Sequence, residues 1–232
     1  MMHFKNYMAA LLAFAALLNC PSAFSRDENA DPLTGHVGPV AENADSFKRR
    51  TSGGNPVVGK ELSQLCQGCH GEDGNSFDPL VPKLAGQYSV YIAKQLRNYQ
   101  AGLRTHQIMN AMAATISDQE LADISSYFAS QPMMKGNGTT TNEQGKNLFL
   151  KGKISKMVVA CVNCHGVNGK GLTPNTSMFP VLGGQHKAYL VKTLIDFKKD
   201  DRFNSPNSIM NRIVRSLSDE ELDVLAEYIS GL

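Results

Sequence analysis

The chain has 232 residues, of which 42% are hydrophobic and 19% are charged, and its formal net charge at pH 7 is +2. A chain of this length builds one or two small domains. The charge balance excludes the strong basic excess that marks nucleic-acid binding proteins, so no nucleic-acid partner is expected.

Residues 1–25 have the pattern of an export signal and do not belong to the fold. Lys5 provides a basic start, and residues 8–18 form an uninterrupted apolar run of 11 residues. This run is too short for an ordinary transmembrane helix, but it is typical of the central part of a secretory signal. The pattern predicts cleavage after Ser25 and a periplasmic mature chain.

A lipid anchor on Cys20 is the alternative to cleavage after Ser25. Asn19 is larger than the small residue that usually precedes a lipidated cysteine, which disfavours the lipoprotein interpretation. Residues 26–55 are polar and contain Gly, Pro and Asn, so we expect a flexible N-terminal extension there. Peripheral association with a membrane is left open.

The pentapeptide Cys-x-x-Cys-His follows this extension and occurs again 95 residues later. It is the attachment signature of c-type haem, although a single copy could also be a zinc half-site. The two cysteines are spaced to form thioethers with the two vinyl groups of one porphyrin, and the adjacent histidine can then ligate the iron. Two copies predict two covalently bound haem c groups. The predicted attachment residues are Cys66, Cys69, Cys161 and Cys164, and the predicted axial ligands are His70 and His165.

The sequence around the pentapeptide is duplicated as well. Pro82–Gln87 matches Pro180–Gln185 at an offset of 98, and Ile108–Asn110 matches Ile209–Asn211 at an offset of 101. Two insertions of three residues in loops explain the change in offset. The duplication predicts two similar units in tandem.

Each unit is predicted to contain an opening helix, the haem motif, a Pro-rich loop, a middle helix, a methionine loop and a final helix. Apolar residues recur at helical spacing at Val58, Leu62 and Leu65, at Ile92, Leu96, Tyr99 and Leu103, and at Leu190, Leu194 and Phe197. Ser117 and Ser218 are each followed three residues later by Glu, which is the capping box of a helix start. No segment alternates with a period of two, so essentially no sheet is expected.

These elements predict an all-α protein with two tandem domains. The first domain is expected at residues 56–131 and the second at residues 142–232. Residues 132–141 are turn-rich and are expected to form the linker.

The second axial ligand of each iron decides between electron transfer and catalysis. Met109 and Met210 are in register between the units, because each lies eight residues before the capping serine. Nearby Met112 and His106 have no such counterparts in the second unit. Methionine usually fills a core, but the register favours Met109 and Met210 as iron ligands.

Pro82 and Pro180 open the loops that follow the haem motifs. The second nitrogen of a ligating imidazole normally donates to a carbonyl or a carboxylate. The two proline carbonyl groups are therefore candidates to orient the ligating histidines, and simple turn chemistry is the alternative. The remaining histidines of the mature chain lack counterparts and are interpreted as ordinary surface or loop residues: His36 and His186.

The haem motifs, the Pro-x-Leu-Ala/Gly-Gly-Gln loops, the in-register methionines and the Ser-Asp-x-Glu-Leu helices together resemble the cytochrome c4 family over about residues 56–232. The resemblance implies two class I cytochrome c domains related by a pseudo-twofold axis, with haems close enough to exchange electrons. It implies the same attachment and ligand residues as above. Val181 stands where the first unit has Lys83, a mild departure that bears on partner docking rather than on iron ligation.

The predicted function is that of a dihaem periplasmic electron carrier. Family members typically pass electrons to a terminal oxidase, and some receive them from iron- or sulfur-oxidising pathways. The expected partners are therefore an upstream donor and an oxidase, recognised through small transient contacts. Two six-coordinate irons leave no vacant site for a substrate, so no catalytic residues are expected.

Three other classes of haem protein would each require a feature that this sequence does not show. A dihaem peroxidase needs an open iron site, which two in-register methionines disfavour. A sulfur-compound dehydrogenase with a cysteine axial ligand needs a fifth cysteine, and none survives removal of residues 1–25. A haem sensor or a fixed haem subunit of an oxidase complex is the third class, and no fused signalling or membrane segment supports it.

Overall fold

The computed structural model describes residues 53–171 and 178–232. The predicted export signal, Cys20, His36 and residues 26–52 of the predicted extension lie outside these ranges. Within them the chain is helical, and an isolated antiparallel bridge between Lys153 and Val158 is the only strand-like pairing. The all-α prediction is confirmed. None of the helices described has both the length and the apolar character that a membrane span requires.

The two domains have the same succession of helices. The first domain contains α1 (Pro56–Leu62), α2 (Gln64–His70), α3 (Ser89–Gln100), α4 (Gln107–Ala114) and α5 (Asp118–Ser130). The second contains α6 (Glu143–Lys151), α7 (Val162–His165), α8 (Lys187–Lys198), α9 (Ile209–Val214) and α10 (Asp219–Gly231), with short 3-10 turns at Ile154–Lys156 and Pro206–Ser208. The duplication in the sequence is thus a duplication of the fold.

In each domain the first helix crosses the last helix at a glycine. A Cβ atom on Gly59 would lie 2.0 Å from the carbonyl oxygen of Asp123 in α5, and one on Gly145 would lie 2.0 Å from that of Val224 in α10. No side chain fits at this separation, so the absence of a Cβ atom is what allows the helices to pack in contact. This crossing holds the start and the end of each domain together and supports the haem motif that follows the first helix.

The final helices begin as the sequence predicts. Ser117 and Ser218 each form a complete capping box with the glutamate three residues later. The apolar residues of these helices are buried in the two cores, as are those of the middle helices: Ile92, Leu96, Tyr99, Leu121, Ile124 and Phe128 in the first domain, and Leu190, Leu194, Phe197, Leu222, Leu225 and Ile229 in the second. Leu103 lies beyond the end of α3 and is half-buried.

The apolar face expected for the opening helix is not buried against the protein. Val58 and Leu62 are about two-fifths exposed, and Leu65 is 79% exposed. The reason is that α1 ends at Leu62 and the chain starts a second helix after Ser63. Because α1 packs on α5 through Gly59, its larger apolar side chains point away from the contact.

Candidate haem sites

The cysteines that are predicted to attach haem lie at the start of each candidate site. The four cysteines of the described residues are free thiols. Burial raises the pKa of the Cys66 thiol, and it raises the pKa of Cys161 to about 11. These two side chains therefore stay protonated at neutral pH.

Both predicted iron-ligating histidines are oriented by the loop that follows them. His70 Nδ1 lies 2.9 Å from the Pro82 carbonyl oxygen, and His165 Nδ1 lies 3.0 Å from that of Pro180. A carbonyl can only accept a hydrogen bond, so Nδ1 carries the proton and Nε2 is left with its lone pair. Burial lowers the pKa of both imidazoles, and the carbonyl hydrogen bonds offset this only in part. Each ring is thereby kept in the neutral form that a metal requires.

Met109 and Met210 lie in the same cleft as these histidines. A side chain holds the backbone of each methionine: Met109 N lies 3.4 Å from His106 Nδ1, and Met210 N lies 3.2 Å from Ser205 Oγ. His106 is thus the N-cap of α4, a role that the sequence pattern does not reveal. Helix α4 contains two methionines. Met109 lines the cleft, whereas Met112 is not among the described residues that line it.

A single cleft runs through both domains and joins the two sites. Buried apolar side chains of α3 and α8 form part of its walls: Ile92, Leu96 and Tyr99 from α3, and Leu190, Leu194 and Phe197 from α8. The cleft therefore offers two apolar lobes, the first lined by Cys69, His70 and Met109 and the second by Cys161, Cys164, His165 and Met210. The residues present fit two haem groups.

Two glutamines tie the domains together in a reciprocal arrangement. Gln87 Nε2 donates to the Val181 carbonyl, and the Val181 amide donates to Gln87 Oε1, both at 2.9 Å. Gln185 makes the equivalent pair with the Lys83 carbonyl and amide, at 3.0 and 2.9 Å. Gln87 and Gln185 are 98 positions apart, as are Lys83 and Val181. This exchange of equivalent contacts is what a pseudo-twofold axis produces.

Two arginines repeat the same exchange between the domains. Arg104 Nη2 donates to the Tyr189 hydroxyl, and Arg202 Nη2 donates to the Tyr91 hydroxyl, both at 3.0 Å. Both pairs of equivalent residues are again separated by 98 positions. Burial opposes ionisation of Tyr189, but the charges of Arg104 and Arg202 outweigh it and lower the pKa of this phenol to about 8.

The interface concentrates positive charge in the cleft. Lys94, Arg104 and Arg202 all line it, and within the described part of the chain none of them has an ion pair with a carboxylate. Burial lowers the pKa of Lys94 to about 8, with further contributions from Arg202 and Arg104. Buried cations without counterions are costly. The cluster therefore fits an anionic group, and the carboxylates of haem are groups of this kind.

Two further interface contacts differ from the expectations for their residues. His186 Nε2 lies 2.9 Å from the Ser76 carbonyl oxygen and 3.0 Å from Ser76 Oγ, so this histidine bridges the domains instead of being an ordinary surface residue. Met134, in the predicted linker, is 1% exposed, and its carbonyl accepts from Lys170 Nζ at 2.7 Å. Neither contact can be recognised before the docking of the domains is known.

The duplicated fold and the paired sites define a dihaem c-type cytochrome, and comparisons with known proteins agree. The cytochrome c family model matches residues 57–132 and 143–232. The chain is 41% identical over 181 residues to a cytochrome c4 of Pseudomonas aeruginosa, covering 77% of this chain and 89% of the relative. It is 33% identical over 198 residues to a thiosulfate dehydrogenase electron acceptor of Stutzerimonas stutzeri, covering 83% and 88%.

Among solved structures, the reduced recombinant cytochrome c4 from Pseudomonas stutzeri matches with a TM-score of 0.72 at 38% identity, covering 77% of this chain and 99% of that one. The chain belongs to the cytochrome c4 family. It is an electron-transfer protein that carries two covalently bound haem c groups. The predictions of family, fold class, cofactor and electron transfer are confirmed.

Proposed function

We propose that each domain binds one haem through the residues of its own lobe. Cys66 and Cys69 attach the first haem, with His70 and Met109 as axial ligands of its iron. Cys161 and Cys164 attach the second haem, with His165 and Met210 as axial ligands. The observation that carries this proposal is the placement of a carbonyl-bound histidine and an in-register methionine in the same cleft of each domain.

We further propose that the protein is an electron carrier and has no catalytic activity of its own. The bound haem supplies a one-electron change of oxidation state. A methionine sulfur as axial ligand raises the reduction potential, and the apolar walls add to this effect because they disfavour the extra charge of ferric iron. The Pro82 and Pro180 carbonyls fix the histidine rings. With a histidine and a methionine bound to each iron, no iron would be open to a substrate.

The proposed partners are a terminal oxidase as electron acceptor and a respiratory dehydrogenase as donor. The similarity to a thiosulfate dehydrogenase electron acceptor supports a sulfur-oxidising dehydrogenase as a candidate donor. The pattern of residues 1–25 supports export to the periplasm. Rapid mixing of the reduced protein with a purified terminal oxidase, and of the oxidised protein with a thiosulfate dehydrogenase and its substrate, tests both partners. Failure to exchange electrons faster than with an unrelated redox protein would contradict the assignment of that partner.

The axial ligands are tested by three alanine variants. Met109→Ala and Met210→Ala should each lose the weak far-red absorption band of one methionine-ligated ferric haem and should let the reduced iron of that domain bind carbon monoxide. Met112→Ala is the matched control, since Met112 lies in the same helix as Met109, and it should keep the band and exclude carbon monoxide. If Met112→Ala opens the iron and Met109→Ala does not, the assignment by register is wrong.

A further inference from the structure

The second domain has an additional segment directly before its haem motif. Gly59 and Gly145 make the same helix crossing and lie 86 positions apart, whereas Cys66 and Cys161 lie 95 positions apart. The difference is nine residues, and they are placed between the end of α6 and the first attachment cysteine. The first domain has no equivalent, because α2 there begins two residues after α1 ends.

This segment, residues 152–160, forms a small hairpin that is fixed to the domain. Lys153 and Val158 exchange backbone hydrogen bonds of 2.8 and 3.1 Å. Lys156 Nζ bonds Glu221 Oε2 at 2.7 Å, and Lys153 Nζ bonds the other carboxylate oxygen of Glu221. Ser216 Oγ donates to the Lys156 carbonyl at 3.0 Å. The hairpin therefore rests on the start of α10 and has a defined position.

The tip of the hairpin presents two apolar side chains to solvent. Ile154 and Met157 are both 91% exposed. Met157 has a φ of 56°, in the left-handed region that non-glycine residues seldom adopt. The left-handed backbone costs stability, and the exposed apolar side chains contribute none; such features are typical of functional and binding surfaces. The anchoring contacts thus hold the two side chains outward.

The hairpin lies next to the second haem site. Its last residues, Val158, Val159 and Ala160, line the cleft together with Cys161 and His165. Val159 is also 51% exposed, so the apolar surface continues from the tip to the edge of the site. A partner seated on the tip would be within a few residues of the covalent attachment, where electrons can leave the second haem.

The charges on the two domains indicate the kind of partner. Residues 142–232 contain 12 Lys and Arg and 9 Asp and Glu, a net charge of +3, whereas residues 56–131 contain 5 and 7, a net charge of −2. Lys153 and Lys156 lie within the hairpin and Lys151 directly precedes it, and Glu221 is the one carboxylate that the described contacts bring to them. A basic surface with an apolar centre is complementary to an acidic surface with an apolar centre.

We infer that the hairpin of residues 152–160 is the docking element through which the second domain binds an acidic redox protein. This inference rests on the proposed function as an electron carrier. It identifies the place where one partner binds and describes the surface of that partner as acidic with an apolar centre. The hairpin supplies the apolar contact, and the lysines around it supply the attraction to the acidic rim. The first domain, with the opposite net charge and no hairpin, is left for the other partner.

The test uses the full-length holoprotein and a gold electrode coated with a mixture of carboxylate- and methyl-terminated thiols, which reproduces an acidic and apolar surface. Met157→Gly combined with Ile154→Ser removes the apolar tip, and glycine adopts the left-handed backbone at position 157 without strain. We expect the rate of electron transfer between electrode and protein to fall about tenfold in this variant, as expected when a few apolar contacts are lost. The matched control is Phe77→Ser in the first domain, where Phe77 is 97% exposed, and it should keep the wild-type rate.

Three outcomes decide between the possibilities. A wild-type rate in the hairpin variant, with reversible reduction retained, overturns the docking role and leaves the carrier function intact. Absence of a reversible wave from fully haem-loaded wild type contradicts the carrier function itself. A dimer in sedimentation that the hairpin variant converts to a monomer would identify a second copy of the chain as the occupant and would overturn the inference of an acidic partner.

Discussion

Replacement of Gln87 by alanine should weaken the association of the two domains. The Gln87 side chain is 4% exposed, and it satisfies both the amide and the carbonyl of Val181, which is 1% exposed. Across the interface, alanine leaves two buried backbone groups without a partner, and each such group costs about 1–3 kcal/mol. It also removes the acceptor of the Tyr88 amide, which lies 3.1 Å from Gln87 Oε1 within the first domain. The expected loss at the interface is therefore about 2–6 kcal/mol.

The measurement is denaturant unfolding of the holoprotein, followed by the haem absorbance and by helical circular dichroism. The variant Gln87→Ala should unfold at a lower denaturant concentration, and Gln185→Ala should do the same because it makes the equivalent contacts with Lys83. Gln67→Ala is the matched control, since Gln67 is half-buried in α2 and bonds only within its own domain, to the Lys60 carbonyl and to Ser63 Oγ. If Gln87→Ala changes the free energy of unfolding no more than Gln67→Ala does, the interface is not stabilised by this exchange.

The other predictions concern single contacts. Gly145→Ala should destabilise the second domain by at least about 2 kcal/mol, because its Cβ would collide with the α10 backbone; Gly68→Ala, which meets nothing within 4 Å, is the control and should leave the melting temperature nearly unchanged. Burial alone would raise the pKa of Glu221. The hydrogen bonds from Lys153 and Lys156 outweigh this effect and lower the pKa of Glu221 from 4.5 to about 2. Because this pKa is depressed in the folded protein, the contact stabilises the fold above about pH 4.5 and loses its effect as the pH falls towards 2. Glu221→Gln should therefore be less stable than wild type at pH 7 and should approach it in acid, as followed by thermal melting; a difference independent of pH would contradict this explanation.

The candidate iron-ligating methionines can be predicted from the sequence because they occupy matching positions in the two copies. Met109 and Met210 are in register, and the structure places both in the cleft. The capping serines and the apolar faces of the middle and final helices follow from local rules, and the structure shows them, except that Leu103 lies beyond the end of α3. Signals of this kind depend on one helix or on its equivalent in the other copy.

What the sequence could not predict depends on contacts between distant segments. Arg104 and Arg202 are also in register, but only the docking of the domains shows that each one binds the tyrosine of the other domain. The same is true of His186, whose partner Ser76 is 110 positions away. The exposed face of α1 was mispredicted for a related reason, since the helical spacing of Val58 and Leu62 cannot reveal that Gly59 makes the contact with α5.

The most direct test of the central claim is a potentiometric titration of the purified holoprotein, followed by exposure of the reduced form to carbon monoxide. Two Cys-x-x-Cys-His motifs with methionine in each lobe predict uptake of two electrons per chain and no binding of carbon monoxide. Uptake of one electron, or an iron that binds carbon monoxide in the unmodified protein, would contradict the account of two six-coordinate haems that only carry electrons.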